Sequence, residues 1–168
     1  LVALHTALTS PIRLSPYCRK GQAVELVKRA RSPYLLLFGG TVGHGKLRND
    51  TWRFDVPSRE WVQLRPAIAP TQRWKCSITY LNDTVNDTVV LFGGSTYTGG
   101  RGRPVAEVFE RDVWFYNPDH PAWTRYAPPS QELWPAARRA HSAVDSGMGT
   151  VIIFGGKDAN GSTLGDAW

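Results

Sequence analysis

Cysteine is nearly missing from this chain: Cys18 and Cys76 are the only two in 168 residues. Two thiols make at most one bridge, so a disulfide framework is excluded as the source of stability. Neither sits in a CxxC pair or beside a histidine at zinc spacing, and His5, His44, His120 and His141 form no HExxH. No metal and no cofactor are expected from that pattern. Long apolar runs are missing too. Leu35 to Phe38, Val89 to Phe92 and Val151 to Phe154 fall far short of the ~20 residues that a membrane-spanning helix needs. GxGxxG and Walker patterns are absent, which removes the usual nucleotide loops. Acidic residues are scarce only at the start, where residues 1–35 hold six basic groups against Glu25 alone. The other 133 residues hold 14 basic and 13 acidic groups, so the net charge of +6 belongs to one terminal segment. A phosphate-binding domain needs a basic face across its fold, and nucleic acid is therefore not the expected partner.

What the chain has in quantity is tryptophan, with seven, and glycine, with 16, in a composition that is 42% hydrophobic. Both are placed periodically. Phe-Gly-Gly ends an aliphatic run three times, with the phenylalanines at 38, 92 and 154. Each is followed by Asp-x-Trp: Asp50 to Trp52, Asp112 to Trp114 and Asp166 to Trp168. Trp61 and Trp123 come nine residues after the first two of these tryptophans. Upstream stands an arginine, as Arg138-Arg139-Ala140-His141-Ser142-Ala143, Arg73-Trp74-Lys75-Cys76-Ser77-Ile78 and, more weakly, Arg19-Lys20-Gly21-Gln22-Ala23-Val24. Arg19 and Arg73 each precede their phenylalanine by 19 residues. Arg73 to Arg138 spans 65 residues against 54 from Arg19 to Arg73, because residues are inserted at segment junctions, where a repeat grows without disturbing its strands.

Each unit predicts four strands. The first is Cys76 to Tyr80 or His141 to Asp145, and the second is the run into Phe-Gly-Gly. The third alternates aromatics on one face, Trp52 with Phe54 and Trp114 with Tyr116. The fourth begins at Trp61 or Trp123, after a turn-rich link such as Asp55 to Glu60 or Asn117 to Ala122. Antiparallel units of this kind at roughly 50-residue spacing are the cue for propeller blades.

With its Gly-Gly after a hydrophobic strand, its Trp after an acidic turn and a second Trp nine residues on, the sequence resembles the kelch-repeat β-propeller family, which includes galactose-oxidase-type propellers. "RRAHSAV" at 138–144 is similar to the opening of a kelch blade. The expected fold is all-β, a partial propeller with two complete blades at 19–72 and 73–137 and half of a third at 138–168. Residues 1–18 read as a basic lead-in or the remnant of a preceding segment, and the whole as a fragment. Closure would then need the remaining blades or self-association.

The motif glycines (Gly39, Gly40, Gly93, Gly94, Gly155, Gly156) and tryptophans (Trp52, Trp61, Trp114, Trp123, Trp168) are expected to be structural. Trp74 and Trp134 fall outside the repeat and are the better candidates for an exposed aromatic contact. In a four-strand meander the start of the first strand shares a face with the loops at 41–49, 95–111 and 157–165. That face collects Arg19, Arg73 and Arg138, with Arg101 and Arg103 in a Gly-rich loop expected to be flexible. The resemblance implies a scaffold that binds a partner protein there and not an enzyme. Arginine pairs with carboxylates, so an acidic segment suits these side chains, unless they pair with the chain's own acids. On the first reading, Arg73→Ala with Arg138→Ala weakens partner capture and leaves stability nearly unchanged. The rival is an extracellular carbohydrate-binding or copper-radical-oxidase-like propeller. Four N-x-Ser/Thr sequons, at Asn49, Asn82, Asn86 and Asn160, point that way, whereas the family's habits lean intracellular. No Tyr, His and Cys set for copper can be assembled from these positions.

Overall fold

The computed structural model describes residues 14–29, 32–43, 45–82, 87–99, 106–127 and 134–168. Those residues form strands and no helix. The first unit is a meander of β1 (Ala23–Val27), β2 (Tyr34–Phe38), β3 (Thr51–Asp55) and β4 (Glu60–Leu64), hydrogen-bonded in that order. The second repeats it with β5 (Ser77–Leu81), β6 (Thr88–Phe92), β9 (Val113–Asn117) and β10 (Ala122–Tyr126). Between β6 and β9 stands a separate hairpin, β7 (Ser95–Thr98) with β8 (Ala106–Phe109). The third unit contributes β11 (Ser142–Asp145) and β12 (Val151–Phe154), with a bridge from Phe154 to Ala167 where its third strand starts. Every pairing is antiparallel.

The period-two pattern decides which interface each side chain enters. Along β9, Trp114 and Tyr116 pack toward the first unit, in a core with Tyr34, Leu36, Phe38, Ile78, Leu91 and Trp123. Val113 and Phe115 point the opposite way, to a second core with Phe92, Val90 and Ile153. A central unit covered on both faces is what stacked blades require, and it explains why β6 is apolar without alternation. Trp61 and Trp123 hold the register of the outer hairpins. Each lies directly across from an aromatic of the third strand, Phe54 at 5.0 Å and Tyr116 at 5.1 Å between ring centroids. In the intervening turns Asp55 Oδ1 accepts from the Ser58 amide at 2.9 Å, and Asn117 Oδ1 accepts from the Asp119 amide at 2.8 Å.

Two details differ from the expectation. The first strands begin at Ser77 and Ser142, one residue after Cys76 and His141. The second glycine of each Gly-Gly lies against those residues: a Cβ built on Gly94 would stand 2.8 Å from Cys76 Cβ, and one on Gly156 2.9 Å from His141 Cβ. The segment 95–111, expected to be a loop, is for much of its length the β7–β8 hairpin. Ser-Thr-Tyr-Thr and Ala-Glu-Val-Phe suit strands, and the Gly-rich run lies between them.

Candidate functional site

The separate sequence marks of each unit meet at one node. Arg73 Nη1 donates to Asp112 Oδ1 at 2.5 Å and to the Gly93 carbonyl at 3.0 Å, and its Nη2 donates to Asp112 Oδ2 at 3.0 Å. Trp114 Nε1 donates to the same carboxylate at 2.7 Å. Arg73 Nε is satisfied by the Thr71 carbonyl. The third unit repeats this set with Arg138, Asp166, Gly155 and Trp168, and the first with Arg19, Asp50, Gly39 and Trp52. A guanidinium fork matches a carboxylate in two parallel bonds, which is why arginine, the acid of Asp-x-Trp and the first glycine recur together.

The node's electrostatics follow from that geometry. Burial raises the Asp112 carboxyl, but bonds and charge from Arg73, with the Trp114 indole, hold it below the ordinary carboxylate range. Asp50 is lowered in the same way against its own burial, by Arg19 and Trp52. Hydrogen bonds from Arg138 and Trp168 hold Asp166 far below that range.

The two arginines expected to contact a partner most directly have no accessible surface: Arg73 and Arg138 are each 0% exposed. Their donors are taken by the chain's own acids and carbonyls, so these side chains cement the blades. Arg19, with its side chain 3% exposed, is held equally by Asp50. Arg101, Arg103 and Asn86 lie outside the described residues. Asn49, Asn82 and Asn160 are exposed; the Thr51 hydroxyl of the first sequon is buried, accepting from Trp123 Nε1 at 3.0 Å.

What the loop-bearing face does present comes from the residues just after the arginines. Within each unit a backbone bridge fixes the equivalent position, Lys20 to Thr41, Trp74 to Ser95 and Arg139 to Lys157, and the bonds from Lys75 N–H to the Gly21 carbonyl and from Ala140 N–H to the Lys75 carbonyl set neighbouring units side by side. The Trp74 ring has the Lys75 ammonium 4.3 Å and the Arg139 guanidinium 5.4 Å from its centroid. Glu107, on β8, underpins the group. Its Oε1 accepts from Trp74 Nε1 at 3.2 Å, Ser95 Oγ at 2.6 Å and Arg139 Nη1 at 2.7 Å. Lys20 and Lys157 are exposed and have no acidic partner among the described residues. Sequence reasoning missed this set because lysine at an unmarked position carries no repeat signal. Trp74 was the one legible member. Trp134 instead stacks on Tyr126 and donates to the Arg111 carbonyl at 2.8 Å.

Elsewhere the chemistry is sparse. Among the described residues no group of three or more His, Cys, Asp or Glu is placed to hold a metal ion, and no helix is long and apolar enough to cross a membrane. Cys18 is exposed and Cys76 buried, both as free thiols; burial pushes the Cys76 thiol up to about 11.

Four-stranded antiparallel units stacked face to face, each locked by an Arg–Asp–Trp node, define blades of a β-propeller. The KLHDC2/KLHL20/DRC7 Kelch-repeats domain matches residues 7–168, and the chain belongs to the kelch-repeat family. It is 34% identical to Kelch domain-containing protein 10 of Xenopus laevis over 154 residues, 88% of this chain and 33% of that protein. The human protein of that name is 31% identical over 155 residues, with 88% and 31% covered. The chain thus spans about a third of the length of these relatives. Among solved structures, YjhT superposes over 91% of this chain and 42% of its own with a TM-score of 0.65 at 20% identity. A chain of the cryo-EM structure of RAG in complex with one melted and one unmelted RSS gives 0.73 at 17%, covering 92% and 47%. At such identities these likenesses establish the fold alone.

Proposed function

We propose that this chain is a protein-interaction module that receives an acidic segment of a partner protein on its loop-bearing face. The carrying observation is the division of the basic residues. The motif arginines are consumed by Asp50, Asp112 and Asp166, whereas Lys75 and Arg139 lie over the Trp74 ring and Lys20 and Lys157 stand exposed at the equivalent bridges of the neighbouring units. An aromatic ring flanked by cations suits the centre of an interface, and unpaired lysines suit its rim. Membership of the kelch-repeat family supports an interaction role over an enzymatic one, although the fold alone names no partner.

The test is fluorescence anisotropy with a labelled Asp/Glu-rich peptide. Lys20→Glu with Lys157→Glu is expected to weaken binding at least tenfold without lowering the melting temperature, while Lys28→Glu, beyond the far end of β1, does not. Binding that ignores the double reversal removes the assignment. A single-stranded oligonucleotide of equal charge that binds as tightly as the peptide would make the surface a general polyanion site instead.

A further inference from the structure

The β7–β8 hairpin stands beside the basic surface as a sheet of two strands, and one of its edges is unused. An antiparallel ladder alternates residues that bond across to their partner with residues whose N–H and C=O turn outward. The Glu110 amide donates to the Gly94 carbonyl at 2.9 Å, so in the register of the hairpin Val108 with Thr96 and Ala106 with Thr98 are the bonded pairs. Glu107 and Phe109 therefore present their backbone groups on the far side of β8. Across the hairpin the outward groups of Ser95 are filled, since Ser95 and Trp74 exchange two bonds of 3.0 Å. Those of Glu107 and Phe109 have no backbone partner among the described residues.

The edge carries none of the residues that normally blunt one. Ala106–Phe109 holds no lysine or proline, and its one charge is committed, Glu107 being held by Trp74, Ser95 and Arg139. Its side chains sort by face. Glu107 and Phe109 share the face on which Arg139 lies, bonded to Glu107 through Nη1 at 2.7 Å and 5.1 Å from the Phe109 ring centroid. Arg139 has no other carboxylate partner among the described residues, and its backbone is bridged to Lys157. Ala106 and Val108 belong to the other face and are exposed. A chain laid along β8 sets alternate side chains beside the guanidinium and the remainder beside Ala106 and Val108.

We infer that β8 is the edge on which the partner's acidic segment is held, as an added strand with acidic residues at every second position and small or β-branched apolar residues between them. Backbone bonds to Glu107 and Phe109 fasten the segment. Arg139 and Lys157 pair with its carboxylates, and Ala106 with Val108 accommodates the alternate side chains. Strand addition takes affinity from the main chain and selectivity from alternate side chains. The inference rests on the acidic-segment reading and adds how that segment is bound.

The test needs no substitution in the chain. A labelled peptide alternating Glu with Val is titrated by fluorescence anisotropy, beside two twins N-methylated at its odd-numbered or at its even-numbered residues. In an added strand only one of those two sets of amides faces β8, so one twin is expected to bind like the parent. The other is expected to lose about tenfold or more, the effect of two lost hydrogen bonds. Amide exchange followed by NMR should slow at Glu107 and Phe109 when the parent peptide is added, while Val108, already paired with Thr96, is unchanged. Twins that behave alike, or unchanged exchange at Glu107 and Phe109, overturn strand addition; if both twins bind as tightly as the parent, the acidic-segment reading still stands. Failure of the parent peptide to bind overturns the inference as well, and if the Asp/Glu-rich peptide also fails, the acidic-segment reading falls with it. Protection of the two amides at high protein concentration without peptide would mean that a second copy of the chain pairs this edge, and overturns its assignment to a partner.

Discussion

Arg73 and Asp112 stand 39 residues apart in sequence and meet through two nearly parallel hydrogen bonds of 2.5 and 3.0 Å, with the arginine wholly buried. The pair ties the entry of the second unit to the start of its third strand. Because Arg73 also fills the junction with the first unit through its backbone, one residue sets both the blade and its docking.

Removing that arginine leaves a buried carboxylate without its cation. Breaking such a pair typically costs about 3–5 kcal/mol. Arg73→Ala should therefore lower the urea midpoint strongly, the reverse of the near-neutral effect that the sequence suggested. Arg138→Ala should cost less, because the Asp166 side chain is 42% exposed and water can solvate it. Equal and small losses for the two variants would show that the nodes do not hold the blades together.

The repeat made the fold legible because each mark is a component of the node: the first glycine offers its carbonyl to the arginine, and the aspartate binds both the arginine and the tryptophan indole. Those constraints are local to a unit and recur with it. The site was less legible. A spacing argument locates an arginine on a face but cannot tell whether it points to solvent or folds back to Asp112. The β7–β8 hairpin was missed for a related reason, since Gly99 and Gly100 signal a turn without revealing that the flanks pair.

Ala140 and Lys75 occupy left-handed backbone, at φ of +54° and +55°, where the first repeat has Gly21 at +64°. Their amides need that conformation to reach the preceding unit. A side chain there costs about 1–2 kcal/mol, so Ala140→Gly should raise stability by about 0.5–1 kcal/mol after the entropy glycine adds to the unfolded chain. Lys75→Gly should gain less, since it also loses the stack on Trp74. Chemical denaturation of the two variants decides it, and a destabilised Ala140→Gly would mean that the backbone there is not strained.

Glu107 receives three donors, from Trp74, Ser95 and Arg139, and so fastens the β7–β8 hairpin to the surface around Trp74. Glu107→Gln keeps the shape but removes the charge opposite Arg139. Hydrogen exchange should then quicken in the amides of β7 and β8 while β5, β6 and β9 keep their protection. Unchanged exchange in the hairpin would show that its own ladder suffices.

His141 links pH to the junction between the second and third units. Its Nε2 lies 2.8 Å from Ser77 Oγ, its ring meets Phe92 edge-on at 5.2 Å, and its buried Nδ1 has no partner. Burial, with the Arg138 charge, pushes it down to about 4. An unfolded histidine titrates near 6.5, so below that pH the unfolded chain takes up a proton that the folded chain refuses. The stability of neutral His141 is fully present above pH ~6.5 and is lost as pH falls toward 4, on the order of 1–3 kcal/mol. The lowered carboxyls of Asp50, Asp112 and Asp166 act in the same direction, but only below their ordinary value of 3.8. His141→Gln, which installs the residue found at Gln22 of the first repeat, should flatten the stability profile between pH 6.5 and 4 and leave the steeper fall below it. Should the variant lose stability across that window as wild type does, another group is responsible and His141 is only packing.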